Sequence, residues 1–267
     1  MNFWKNTTTL DRHCPELRDC VSLADAEIAV LGTGYVDLEK ATSLRGLFRC
    51  GVGVENVPFK ACEERGILVG LPSEDTRRAI YDETASFAIH LILTALYRGQ
   101  GDSESWSKAN RVALIDREVL ILGAGNIGSR VAEWMRPLCR VQTWDVLTDS
   151  AESLPRLVET ADVISLHFPL SRETEGWFNK TYLQVMKDGS ALVNTARGSI
   201  VDEQDLYEEV STGRIHALFD VFWTEPYKGK LSTLPESQFA MSPHISSHSE
   251  RFLRGLADDL RTFAQSL

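Results

Sequence analysis

The chain has 267 residues, of which 43% are hydrophobic and 25% are charged, a length and composition that predict a globular protein of two domains. The formal net charge of -10 excludes nucleic acid and anionic membrane surfaces as main partners, because both bind through a basic face. Five scattered cysteines without a C-x-x-C pair, and no apolar run long enough for a signal peptide or a membrane span, predict a cytoplasmic protein with reduced thiols.

The first third of the chain has the pattern of a small α/β domain. Short apolar runs at residues 27–32, 46–53 and 67–71 are separated by segments of helical character. Residues 83–98 predict a long, largely buried helix, and the polar residues 99–111 predict a connector after it.

The polar residues 72–83 predict a loop that carries Arg77 and Arg78. Their guanidinium groups could help to bind a dicarboxylate. A solvated loop is the alternative interpretation, and the sequence does not decide whether either side chain contacts a substrate.

Residues 118–138 are the most informative segment, because they combine a strand, a glycine turn and an amphipathic helix. The first residues form the apolar run of a strand that is buried on both faces. Gly123 permits a tight turn, Gly125 lets a pyrophosphate approach the backbone, and Gly128 lets the helix pack close to the strand. The helix is predicted to begin near Asn126, where free N–H groups would face the phosphates.

A second apolar segment, residues 141–145, ends in Asp145. A carboxylate at the tip of the second strand of such a unit accepts hydrogen bonds from the adenosine ribose hydroxyls. The three residues that follow include no arginine for a 2′-phosphate, so the sequence favours NAD over NADP. Taken alone, Asp145 is also compatible with a solvated turn.

Four more apolar runs, at residues 163–169, 191–196, 215–222 and 239–242, bring the predicted parallel sheet to six strands. Apolar residues at helical spacing near the carboxyl end predict a last helix that returns to the first domain. The predicted fold is α/β, with a Rossmann-like dinucleotide-binding domain and a smaller α/β substrate domain. The predicted boundaries are residues 1–97 with 246–267 for the substrate domain and residues 98–245 for the dinucleotide-binding domain.

Polar residues that follow strands are the best site candidates, because open α/β sheets bind ligands beyond the carboxyl ends of their strands. Arg197 follows one predicted strand, and its guanidinium could hold a carboxylate through two parallel hydrogen bonds. Ala196 and Gly198 are expected to leave room around it. A surface ion pair is the alternative role for this arginine.

Asp220 and Glu225 follow the next strand, and His244 follows the last one. A histidine near a carboxylate is a ready proton donor, because the negative charge favours the imidazolium form, and carbonyl reduction needs such a donor. An exposed loop acid and a turn histidine are the alternative interpretations. His248 competes with His244 and is predicted to lie one turn into the last helix.

Six motifs in chain order resemble the D-2-hydroxyacid dehydrogenase family, and the similarity runs from about residue 24 to the carboxyl end. The motifs are GVGVEN (51–56), GAGNIG (123–128), HFPL (167–170), NTARGSIVDE (194–203), DVFWTEP (220–226) and SPH (242–244). The resemblance implies flavodoxin-like and Rossmann-like domains around a cleft, NAD as the cofactor and a homodimer formed through the cofactor domains.

The resemblance also implies roles for individual residues. Arg197 would bind the substrate carboxylate and carbonyl oxygen, His244 would be the acid/base, and Glu225 would pair with His244. The backbone of Val52 and Gly53 would meet the substrate carboxylate, and Asp220 would hold the nicotinamide carboxamide. The cofactor-binding residues would be Gly123, Gly125, Asn126, Ile127, Gly128, Asp145, His167, Pro169, Thr195, Ala196 and Asp220. No metal site is expected.

The chain departs from the family pattern at several places, among them the poorly represented first strand and helix in residues 1–23 and a loop at residues 72–83 that is about two residues longer. Asn126 stands where a basic residue is frequent, and the connector before the glycine turn is shorter than the dimerisation arm of the family. Leu31 and Gly32 follow the first predicted strand, where members that bind phosphorylated substrates carry an arginine. The pattern therefore argues against a phosphorylated substrate.

The hypothesis is hydride transfer between NAD(H) and a small 2-keto or D-2-hydroxy acid that is not phosphorylated. The alternative is a non-catalytic, NAD-sensing interaction protein on the same fold, because a fold alone does not fix a function. The presence of Arg197, Glu225 and His244 argues against that alternative. The identity of the acid and the direction of the reaction are not encoded in these motifs.

Overall fold

The computed structural model describes residues 1–99 and 101–267. The chain forms two compact units, one of residues 1–83 and 247–267 and one of residues 84–246. Each unit has its own parallel sheet, so the predicted α/β fold is confirmed. The helices are α1 (Phe59–Glu64), α2 (Glu74–Leu96), α3 (Gly128–Met135), α4 (Leu154–Thr160), α5 (Lys180–Leu183), α6 (Glu203–Ser211) and α7 (Glu250–Gln265).

The sheet of the first unit has four parallel strands that are adjacent in chain order. The strands are β1 (Phe3–Lys5), β2 (Ile28–Leu31), β3 (Gly46–Arg49) and β4 (Leu68–Gly70). β2 and β3 are buried at every position, as their apolar runs predict. β1 was not predicted, because this short, partly exposed edge strand contains no continuous apolar run.

Helix α7 packs one apolar face in the core of the first unit, where Leu256 and Leu260 are buried in the same cluster as Phe48. Ser249 caps the helix, because its hydroxyl accepts a hydrogen bond at 3.3 Å from a backbone N–H of the first turn. The helix therefore begins after His248. The prediction that His248 lies one turn inside the helix is wrong.

Helix α2 begins earlier than predicted, and residues 74–83 are helical rather than a loop. The Ser73 hydroxyl accepts a hydrogen bond from the Thr76 N–H at 3.3 Å, and two acidic residues follow in the first turn, an arrangement that starts a helix. Ile80 is buried in the core of the first unit, and Ile92 in that of the second. The division between the units therefore falls within α2 and not after residue 97.

A short antiparallel hairpin, β5 (Gly101–Asp102) and β6 (Ser107–Lys108), precedes the second sheet. The second sheet has the six predicted parallel strands, namely β7 (Glu118–Leu122), β8 (Arg140–Trp144), β9 (Val163–Leu166), β10 (Ala191–Asn194), β11 (His216–Phe219) and β12 (Phe239–Met241). Their spatial order is β12-β11-β10-β9-β7-β8. The order reverses at β7, and such a reversal opens a ligand crevice at the carboxyl ends of the strands.

None of the helices within residues 1–99 and 101–267 is both long and apolar enough to cross a membrane.

Candidate active site

The turn between β7 and α3 is built so closely that two of its glycines exclude any side chain. Gly123 has a φ of +97°, and a Cβ atom there would lie 2.8 Å from the carbonyl carbon of His167. A Cβ atom on Gly128 would lie 1.9 Å from the Gly123 carbonyl oxygen. These contacts fix the start of α3 against the ends of β7 and β9.

Gly125 differs from its two neighbours, because a Cβ atom there would meet no protein atom within 4 Å. The backbone at this position therefore faces open space, which a pyrophosphate needs for its approach. The helix begins at Gly128, later than the predicted start near Asn126, and Ile127 precedes it as the cap residue. Asn126 is exposed at the same turn.

Asp145 lies beside the glycine turn at the end of β8. Its Oδ2 atom accepts a hydrogen bond from the Ala124 N–H at 2.8 Å, and its Oδ1 atom accepts one from the Leu147 N–H at 3.0 Å. The carboxylate is held at the tip of the second strand, which is where a ribose-binding acid belongs. The glycine turn and Asp145 together fit an adenine dinucleotide.

His167 follows β9 and contacts the glycine turn through its main chain. Its Nε2 atom is 2.8 Å from the Ser165 hydroxyl, and burial lowers the pKa of His167 to about 3. The imidazole is therefore neutral at neutral pH. Pro169 follows it and is exposed, and its carbonyl oxygen accepts a hydrogen bond from the Thr174 hydroxyl at 2.8 Å.

The segment after β10 is shaped by Asn194, to which the sequence analysis gave no role. The buried amide of Asn194 donates to the Arg197 carbonyl oxygen at 2.9 Å and accepts from the Ala196 N–H at 2.9 Å. Thr195 lies between Asn194 and Ala196, and its buried hydroxyl has no hydrogen-bond partner in the part of the chain that the structure describes. A bound ligand is one reason for such an orphaned polar atom.

Gly198 has a packing role that the sequence did not indicate. A Cβ atom there would lie 2.2 Å from the backbone carbon of Phe222, so the glycine allows the segments after β10 and β11 to approach. Gly198 therefore meets a packing requirement, in addition to the room that it is expected to leave around the Arg197 guanidinium. This approach brings the Arg197 segment next to the loop that carries Glu225.

Glu225 and His244 form a hydrogen-bonded pair. The Nδ1 atom of His244 lies 3.0 Å from Oε1 and 2.9 Å from Oε2 of Glu225. Burial raises the pKa of Glu225, but the hydrogen bond and charge of His244, the Phe222 N–H and the charge of Arg197 together bring it below the ordinary value. The carboxylate is therefore ionised and aligned with the imidazole, which leaves Nε2 for a reacting group.

Asp220 fixes the loop that carries His244. Its fully buried carboxylate accepts hydrogen bonds from the Ile245 N–H at 2.9 Å, the Ser246 N–H at 2.8 Å and the Ser242 hydroxyl. These donors flank His244, whose φ of +53° lies in the left-handed region that non-glycine residues rarely adopt. The nicotinamide contact implied for Asp220 remains an expectation, and holding this backbone is a role that the sequence analysis missed.

A cavity of about 500 Å³ lies beside the Glu225 and His244 pair. Its apolar lining includes Phe222, Tyr227 and Met241. Space of this size is sufficient for a small organic ligand.

Val52 and Gly53 lie in the first unit, in the loop after β3. Arg49 holds this loop, because its buried side chain donates to the Gly53 carbonyl oxygen at 2.7 Å and to the Cys50 carbonyl oxygen at 2.7 Å. The loop that presents the two candidate backbone groups is therefore internally braced.

Arg77 and Arg78 belong to the first turns of α2 and not to a loop. The Arg78 guanidinium forms ion pairs with Glu74 and Asp75 on the same helix. Among residues 1–99 and 101–267, no group of three or more histidine, cysteine or acidic side chains could hold a metal ion.

Residues 90–246, more than half of the chain, match the family model of the D-isomer specific 2-hydroxyacid dehydrogenase, NAD binding domain. The chain belongs to this family. The resemblance inferred from the six motifs is thereby confirmed, and the second unit is an NAD-binding domain of this family.

Two relatives and one solved structure illustrate the similarity within the family. A D-3-phosphoglycerate dehydrogenase of Archaeoglobus fulgidus is 30% identical over 253 residues, which are 86% of this chain and 47% of the relative. A hydroxypyruvate reductase of Thermotoga maritima is 30% identical over 242 residues, which are 84% of this chain and 77% of the relative. The D-lactate dehydrogenase from Aquifex aeolicus, complexed with NAD and lactic acid, has a TM-score of 0.81 at 22% identity and covers 100% of this chain and 95% of its own.

The structural likeness to the lactate dehydrogenase shows the shared fold. The chain spans about half the length of the first curated relatives that it matches.

Proposed function

We propose that the protein is an NAD-dependent D-2-hydroxyacid dehydrogenase that interconverts a small 2-keto acid and its D-2-hydroxy acid. The observation that carries the proposal is the hydrogen bond between His244 and the ionised Glu225, beside Arg197, in a domain of this family. A proton donor and a cation at neighbouring strand ends are what carbonyl reduction requires.

The cofactor would lie along the strand ends of the second unit. Gly125 and the N–H groups at the start of α3 would face the pyrophosphate, and Asp145 would accept hydrogen bonds from the adenosine ribose. Thr195 offers a buried hydroxyl that has no partner in the described chain. When bound, NAD(H) would supply or accept the hydride.

His244 would hold the proton that the substrate oxygen gains or loses at Nε2, because Nδ1 is bound to Glu225. Glu225 would fix the orientation of the ring and stabilise its charged form. Arg197 would bind the substrate carboxylate and polarise the carbonyl oxygen, so that the charge developing on that oxygen meets a donor already in place.

The substrate would be a small acid without a phosphate group. β2 ends in Leu31 and is followed by Gly32, so this strand end offers no arginine for a phosphate group. The Gly32 N–H is already used, because it donates to the Asn6 amide oxygen at 2.7 Å. The first unit would be the substrate domain, with Val52 and Gly53 meeting the carboxylate of the acid. We further propose a cytoplasmic homodimer, on the basis of the reduced cysteines and the family resemblance.

The test is NADH oxidation by the purified protein against glyoxylate, pyruvate, hydroxypyruvate, phosphohydroxypyruvate and branched keto acids, with the chirality of the product determined. We expect turnover of an unphosphorylated acid and a D-2-hydroxy product. NADH binding by calorimetry without turnover across this panel would instead favour the NAD-sensing interaction protein. An L-product would contradict the stereochemical part of the proposal.

A further inference from the structure

A second cavity, of about 290 Å³ and with a polar lining, lies at the amino-terminal ends of the strands of the second sheet, opposite the glycine turn. Arg117, Asp162 and Gly189 line it just before β7, β9 and β10 begin, and His216 lines it at the first position of β11. Arg197 follows β10 and His244 follows β12. Because the strands are parallel, both residues lie at the carboxyl ends of the strands, on the opposite side of the sheet from this cavity. The cavity is therefore separate from the candidate active site.

The charged groups at this cavity do not balance. The lining contains Arg98 and Arg117 but only one carboxylate, that of Asp162. The Oδ1 atom of Asp162 is already shared, because it accepts from Arg117 Nη1 at 3.0 Å and from Lys187 Nζ at 2.8 Å. One negative charge thus faces three cations in a protein whose formal net charge is -10.

Arg98 has no ion pair with a carboxylate in the described part of the chain. Its guanidinium donates to the Ser237 carbonyl oxygen, and burial lowers its pKa. A planar guanidinium has five N–H donors, so this single contact leaves several for another acceptor. A partly buried cation without a counter-ion is unfavourable unless an anion joins it.

The same edge of the sheet contains three buried polar atoms without a partner among residues 1–99 and 101–267. They are Arg117 Nε, Ser190 Oγ and His216 Nδ1. Burial of an unsatisfied polar group is unfavourable, so a cluster of such atoms beside a cavity indicates a bound water or ion. Water would satisfy hydrogen bonds but would leave the positive charge uncompensated.

We propose that this cavity binds a small oxyanion, a phosphate or a carboxylate, between the guanidinium groups of Arg98 and Arg117. The excess of positive charge favours an anion. The unpaired N–H donors favour an oxyanion over a halide, because an oxyanion has several acceptor oxygens. The volume is sufficient for a tetrahedral anion with ordered water. The site would be independent of hydride transfer.

The test is calorimetric titration with inorganic phosphate, and in parallel with acetate, at constant ionic strength and with NADH present to occupy the glycine turn. We expect saturable binding of one of these anions to the wild-type protein. Arg98→Gln should weaken it about tenfold or more, because a charge-assisted hydrogen bond is lost. Arg140→Gln is the matched control, since this exposed arginine lies at the start of β8 on the same edge and pairs with Asp116.

Equal binding by the two variants, or no saturable binding of either anion, would overturn the proposal. A second measurement covers a failure of Arg98→Gln to fold, namely crystals of the wild-type protein soaked in selenate. An anomalous peak between Arg98 and Arg117 is the expected result. A peak confined to the glycine turn, or none, would contradict it.

Discussion

Asp220 is the residue whose role the structure changes most. Its carboxylate binds donors on both sides of His244 and so maintains the left-handed backbone of that residue. We expect Asp220→Asn to lower the free energy of unfolding by about 1.5–3 kcal/mol. The reason is that the three donors lose a charged acceptor and the new amide NH₂ group, itself a donor, faces them. Chemical denaturation measures this change, and Asp188→Asn, at a largely exposed carboxylate, is the control.

The kinetics of Asp220→Asn separate its two candidate roles. If Asp220 acts through His244, kcat falls while the NADH dissociation constant stays within about twofold. A large loss of NADH affinity with an unchanged kcat would instead support the contact with the nicotinamide carboxamide.

Glu225 provides a prediction about pH. Its pKa is lowered in the folded protein, so its contribution to stability is present above the unfolded pKa and is lost as pH falls through the lower folded pKa. We expect the difference in unfolding free energy between wild type and Glu225→Gln to be constant at neutral pH and to shrink in acid, below the ordinary pKa of a glutamate side chain. Urea unfolding at a series of pH values measures it, and a difference that grows in acid would contradict the assignment.

The same variant should also slow catalysis. Glu225→Gln replaces the charged acceptor that holds the His244 ring, so kcat for keto-acid reduction should fall about tenfold or more while the NADH dissociation constant stays within about twofold. An unchanged kcat would show that the Glu225 contact does not position the proton donor.

The candidate site residues were predictable one at a time, and the resemblance implied the pairing of Glu225 with His244, but the contacts that hold the backbone around them were not predictable. Arg197, Glu225 and His244 each follow an apolar run, which is a local signal. Asn194 binds a backbone group of the irregular turn that follows it, and Asp220 binds backbone groups that lie far along the chain. No periodicity or spacing reports such contacts, although a buried polar residue at a strand end is a general hint.

At the scale of elements, the turn between β7 and α3 offers a matched pair of substitutions. Gly128→Ala places a methyl group 1.9 Å from the Gly123 carbonyl oxygen, so we expect a loss of about 3 kcal/mol or more in stability. Gly125→Ala meets no protein atom within 4 Å and should leave stability nearly unchanged. It should weaken NADH binding about tenfold, because the methyl group occupies the path of the pyrophosphate.

Thermal unfolding and NADH titration of the two variants test this contrast. A Gly125→Ala protein that binds NADH as tightly as the wild type would contradict the position assigned to the pyrophosphate. A fully stable Gly128→Ala protein would contradict the close packing of α3 against β7.

The elements that were mispredicted depend on weak local signals. Residues 72–83 are polar and suggested a loop, but the Ser73 cap and the acids after it start α2 well before its apolar stretch begins. β1 is too short and too exposed to be recognised, and it forms by adding to the edge of β2. In both cases a local capping or pairing interaction outweighs the hydrophobic pattern.

At the scale of the whole molecule, the repeated alternation of apolar runs and helical segments was sufficient to predict the six-stranded parallel sheet. In the structure the strand order reverses at β7, as it does in doubly wound sheets. The division within α2 was not predictable, because the apolar residues of that helix do not reveal which core each of them enters. The fold was therefore more accessible from the sequence than the boundary between its units.

The most direct test of the central claim is the rate of keto-acid reduction by His244→Ala, measured together with its NADH affinity. We predict a fall in kcat of about 10²- to 10⁴-fold, because the proton donor is removed, and an NADH dissociation constant within about threefold of the wild-type value. A His244→Ala protein that reduces the acid at the wild-type rate would contradict the account.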